Sequence, residues 1–247
     1  MARPTQDLLD HLSHSNTASR AGTRPVNLDD VVTASVGWLV FSLVGAVIGW
    51  FAAPSVAALI SPMVLLVGLF GLIFIDYKVI RAPEPPVGLM ALSLGVYSFY
   101  VGIISWFFGA ATGEGTNLVL SAAIGTIAAA ACIIGLYKAR ILKAETSKFR
   151  SAVVAGGIAY IGIITVSLIM SAFGMDGLFG PGLLGWVLCL FGVTLASASL
   201  AVGAADIDMA IKHGVPSYEA SRLSWAFVST LLWLYLEILR LLARARE

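Results

Sequence analysis

Charge is what this sequence is shortest of. Only 12% of its 247 residues are Asp, Glu, Lys or Arg, where a soluble domain has about a quarter. Hydrophobic residues make up 59%, and the mean hydropathy is +0.92. Histidine and cysteine are scarcer still, at three and two residues. His11, His14 and His213 all fall in polar segments, which excludes a membrane serine protease with a histidine base and a buried histidine metal site. Cys132 and Cys189 stand singly in apolar runs and match neither a metal spacing nor a disulfide framework. No phosphate-binding glycine loop occurs. The basic residues are scattered through short joints, not gathered on a face with aromatics, so nucleic acid is not a partner. No enzymatic reaction and no cofactor are expected.

What is present is apolar sequence in long windows, the mark of helices that span a bilayer. The first 30 residues are polar and lack an apolar core behind a basic start. They read as a mobile tail, with a short helix around "TQDLLDHLSH", and not as a signal peptide. Residues 31–247 then read as one all-α, polytopic domain of seven spans. These are approximately Val31–Phe51, Ser55–Ile75, Val87–Ala110, Asn117–Tyr137, Ala152–Phe173, Gly182–Ala205 and Leu223–Leu242. Each is about 20 residues, enough at 1.5 Å per residue to cross a core about 30 Å thick. The first joint is centred on Pro54. Small residues, as in "SAAIGTIAAAA" and "VAGGIAYIG", suit close helix packing in lipid.

Lysine and arginine alternate between joints. The tail holds Arg3, Arg20 and Arg24; later joints hold Lys78 and Arg81, then Lys138 to Arg150, then Lys212 and Arg222. The joints at Pro54, "TGEGT" and "GMDGLFGPG" hold none. The positive-inside rule therefore expects a cytoplasmic N-terminus and an external C-terminus. Arg240, Arg244 and Arg246 disagree with that, and a last segment that stops short of crossing would reconcile them.

Most acids lie in tails or joints, and Asp76 reads as interfacial beside Lys78. Asp206 and Asp208 close the sixth span in "ADIDMAI", and Glu237 lies within the seventh in "WLYLEILRLL". A charge there must face the bundle or be neutralised. Two partners compete for Glu237: Arg240, three residues on along the same helix face, or Asp206 on the neighbouring helix.

These two motifs in this order resemble the paired signature of the Bax inhibitor (transmembrane Bax-inhibitor-motif) family. That signature is Asp-x-(Asp/Asn/Gln) near the end of the sixth span and Leu-aromatic-Leu-(Asp/Glu) in the seventh. With the "GVPSYE" joint, the likeness is to a bacterial branch, and the specific match covers residues 200–242. The resemblance implies a seven-helix fold with the seventh helix central, in a bacterial cytoplasmic membrane, acting as a proton-regulated calcium leak channel. It implies that Asp206 and Glu237 share a proton and could hold calcium, with Asp208 a weaker auxiliary and Arg240 tuning the pair. It also implies a basic residue near the second span that locks Asp206, for which Lys78 and Arg81 qualify by location. Such a carboxyl pair would titrate as a unit between roughly pH 5 and 8. The third span departs from the pattern, offering Tyr97 and Tyr100 but no acid. A proton-coupled transporter and a non-transporting regulator of other membrane proteins are the competing readings.

Overall fold

The computed structural model describes residues 24–56, 61–175, 177–180 and 182–246. The expected tail helix lies outside the described residues. Among the described residues, seven helices are long and apolar enough to cross a membrane. They are α1 Leu28–Val56, α2 Pro62–Arg81, α3 Val87–Thr112, α4 Thr116–Lys138, α5 Ser147–Ala172, α6 Leu183–Lys212 and α7 Ala220–Arg244. Among the described residues there is no strand beyond one isolated bridge, Pro25 to Pro216. Large apolar side chains such as Phe51, Val67, Ile127, Ile158 and Leu183 point outward, as surfaces facing hydrocarbon should.

The spans read from sequence are correct in number but not at the first joint. Helix α1 runs through Pro54 to Val56, because a proline in the last turn forfeits only one intrahelical bond. Helix α2 starts later, where Ser61 caps Val64 N at 3.3 Å and Pro62 takes the first turn. That pairing of cap and proline is the ordinary helix-start signal. At its own start α1 has a reciprocal cap: Asp30 N donates to Asn27 Oδ1 at 2.9 Å, and Asn27 N donates to Asp30 Oδ2 at 3.1 Å.

Arg24 to Asn27, assigned from sequence to the tail, are pinned to the α6–α7 joint. Val26 N donates to Val215 O at 2.8 Å, and Ser217 N donates to Arg24 O at 3.0 Å. Val26 is buried in one cluster with Val31 and Ala220, against which Ile207, Ala210 and Leu223 pack. The same end of the bundle carries Lys78, Arg81, Lys138 and Lys212, and is called here the basic face.

Helix α7 is sheltered over almost its whole length, with Ala226 its one exposed residue. It packs mainly on α6, α1, α4 and α3, while α2 and α5 pack on one another. These four helices are its principal neighbours, and α5 reaches it through Tyr160. The tightest contact in the bundle joins α1 and α3. A Cβ at Gly102 would lie 2.0 Å from Ala46 O, and one at Gly49 would lie 2.1 Å from Phe99 O. Only glycine allows backbones this close.

The C-terminal arginines no longer conflict with a full crossing. Helix α7 reaches the opposite face, where Arg244 donates to the carbonyls of Phe179, Gly180 and Gly182 at 2.5, 3.0 and 3.3 Å. Arg246 pairs with Glu114 of the α3–α4 joint. These cations tie loops together.

Candidate functional site

Helical spacing puts Trp233, Glu237, Arg240 and Arg244 on one face of α7, at intervals of four, three and four residues. Glu237 is 1% exposed. Its Oε1 accepts from Trp233 Nε1 at 3.0 Å. Its Oε2 accepts from Tyr160 Oη at 2.7 Å and from Arg240 Nη1 at 2.9 Å. Arg240 Nη1 also donates to Tyr160 Oη at 2.9 Å. Arginine does not lose its proton in proteins, so Glu237 faces a permanent cation and two neutral donors. Both oxygens are satisfied. This is the condition under which a carboxylate can stay inside a bundle.

Neighbouring aromatics wall the network. Tyr160 meets Phe179, Phe191 and Trp233 with ring centroids 6.2, 6.0 and 6.0 Å away. The Arg240 guanidinium lies 4.7 Å above the Phe179 ring, a favourable cation–π placement. Glycines in α6 make room: a Cβ at Gly192 would fall 2.4 Å from Glu237 Oε2 and 2.5 Å from Tyr160 Oη. At Gly185 it would fall 2.1 Å from Arg244 Nη1.

A second polar cluster lies at the basic face. Asp206 pairs with Arg150 from the first turn of α5, with about a third of each side chain exposed (39% and 32%). Tyr137 Oη lies 3.0 Å from Asp208 Oδ2 and 3.2 Å from Glu145 Oε1. Glu145 is also 3.8 Å from Lys212 Nζ.

The structure does not bring Asp206 and Glu237 together. Glu237 is level with Gly192, which precedes Asp206 by fourteen residues on α6, or about 21 Å of helix. One calcium ion cannot bridge that separation at ligand distances near 2.4 Å. Among the described residues no group of three or more His, Cys, Asp or Glu is placed to hold a metal. Among the described residues the i,i+3 partner, Arg240, is the cation paired with Glu237.

Lys78 and Arg81 do not lock Asp206 either. Lys78 lies over the Phe74 ring and Arg81 over the Tyr77 ring, and Arg150 takes that place. Arg150 was legible only as one of five bases in its joint. Tyr160 was missed outright, although a lone tyrosine among the glycines of "VAGGIAYIG" was the available signal. Trp233 could have been found as the residue four before Glu237.

Comparison with protein families matches residues 7–247 to a model described as Bax inhibitor 1 like. The search of curated proteins and the search of solved structures found no match. The chain belongs to the Bax inhibitor 1 like family and is a multi-pass membrane protein.

Proposed function

On the premise of that membership, we propose that the protein is a proton-regulated cation leak, with calcium the expected ion. The observation that carries this reading is a glutamate buried in the membrane and locked by arginine, in a helix with a single exposed residue. The sequence suggested one shared-proton gate. The geometry supports two separate locks instead, Arg240 on Glu237 and Arg150 on Asp206. A proton on Glu237 cancels its charge and frees Arg240, so the network is the element that a change in pH would reset. Backbone carbonyls and water would supply most of the oxygens around a passing ion. We assign no catalytic reaction and no resident cofactor.

The test is calcium flux in liposomes containing only this protein. A leak dissipates an imposed calcium gradient and never builds one when a proton gradient is applied. Uphill accumulation would show a proton-coupled carrier. Absence of flux at every pH would favour the non-transporting regulator, a reading the neutralisation of both acids also suits.

We further propose that the basic face is cytoplasmic, in a bacterial cytoplasmic membrane. Met175 lies on the opposite face and Thr146 on the basic face, and both are exposed. In a background without native cysteines, Met175→Cys should react with an impermeant thiol reagent added to intact cells, and Thr146→Cys should not. Labelling of Thr146→Cys alone would invert the orientation.

A further inference from the structure

Glu237 lies well off the middle of its helix. It follows Ala220, the first residue of α7, by seventeen residues and precedes Arg244, the last, by seven. That is about 26 Å from the start of the helix and about 10 Å from its end. The nearer face is the one opposite the basic face.

Toward the basic face, apolar packing closes the way. Ala130 and Ile133 of α4, Leu200, Ala201 and Ala205 of α6, and Leu234 of α7 share one buried cluster, none of them more than 8% exposed. The three from α6 lie between Gly192, which seats Glu237, and Asp206. On the α3 side, Met90 and Leu94 pack with Trp225 and Val228 in a second buried cluster. Trp233 caps Glu237 Oε1 from the same direction. Water needs several polar partners and does not settle among walls of this kind.

Toward the opposite face the cover is one ring thick. The Arg240 guanidinium lies 4.7 Å over the Phe179 ring, and Phe179 is itself partly exposed. The Arg240 side chain keeps 23% of its surface accessible, against 2% for Glu237. Phe179 belongs to the α5–α6 joint, and Arg244, one turn beyond Arg240, holds that joint down. It donates to the carbonyls of Phe179, Gly180 and Gly182, in hydrogen bonds strengthened by its charge. Gly185 lets the joint lie this low, since a Cβ there would fall 2.5 Å from Gly180 O.

We propose that Glu237 answers to the pH on the face opposite the basic face, with Phe179 and Gly180 as the lid over it and Arg244 as the latch. This rests on the reading of Glu237 as the proton-responsive group. When the joint lifts, Phe179 leaves the guanidinium and the carboxylate meets the solution on that side. A proton from that solution binds Glu237 and ends its ion pair with Arg240; nothing is oxidised or reduced. Among the described residues, the titratable groups facing Glu237 are Tyr160 of α5, Arg240 of α7, Cys189 of α6 and Tyr97 of α3. Those of α1 and α4 are Asp29, Asp30, Cys132, Tyr137 and Lys138, at helix ends or on the exposed surface.

The experiment uses proteoliposomes with the protein in a single orientation, the membrane potential clamped, and calcium flux read by an indicator. The pH is stepped between roughly 8 and 5 on one side while the other side stays buffered. A step on the face opposite the basic face should reproduce the whole pH response, and the same step on the basic face should leave the flux unchanged. Arg244→Gln should speed the onset after the step about tenfold or more, because the latch loses its charged hydrogen bonds. Arg244→Lys, which keeps the charge without the fork, should speed it less and serves if the glutamine variant does not fold. Glu114→Gln, which releases Arg246 on the same face, should keep the wild-type onset. A response confined to the basic face overturns the proposal and leaves the Glu237 reading standing. Wild-type onset in the folded Arg244 variants, or equal acceleration in Glu114→Gln, overturns the latch. No response to pH on either face overturns the proposal and the reading together.

Discussion

Arg240→Gln should destabilise the folded protein by about 3–5 kcal/mol, the usual cost of leaving a buried charge without its partner. For a chain of this size that is a fall in Tm of roughly 10 °C or more. Glu237 is the group left behind. With the guanidinium gone, its Oε2 keeps only the Tyr160 hydroxyl and its Oε1 only the Trp233 indole. The carboxylate must then take up a proton or pull the network apart. The double variant Glu237→Gln, Arg240→Gln should recover most of the loss, because two neutral amides need no counter-charge. Thermal unfolding in detergent measures all three proteins. A single variant as stable as wild type would mean that Arg240 does not neutralise Glu237, and a cross-helix partner would have to be sought again.

The sequence made the fold and the acids legible for different reasons. Spans are long, and hydropathy averages over many residues, so seven helices emerge even where a boundary such as Pro54 misleads. Glu237 was legible because a lone acid in an apolar helix must face the bundle or be neutralised. Its partner was not. Choosing between Arg240 and Asp206 depends on the axial register of α6 against α7, which no local pattern encodes. Continuation of α6 to Lys212 and the seating of Gly192 on Glu237 set that register. Tyr160 and Arg150 come from α5, far away in sequence, and carried only weak local signals. Asp76 was read as interfacial beside Lys78, and the two do not pair, because Lys78 lies over the Phe74 ring. On a helix, residues two apart point to different sides.

Glu237→Gln should remove most of the pH dependence of flux. A glutamine carries no charge, so the variant lacks the Glu237–Arg240 ion pair and is fixed near the protonated condition of the network at every pH. Asp206→Asn acts about 21 Å away along α6, on the Arg150 lock alone, and should leave a residual response that Glu237→Gln lacks. The direct measurement is calcium flux into liposomes from pH 5 to 8 for wild type and Glu237→Gln, with equal amounts of folded protein confirmed in each. A pH-responsive wild type and a nearly flat Glu237→Gln is the expected result. A Glu237→Gln profile that overlays the wild type would contradict gating at Glu237 and return that residue to a structural role.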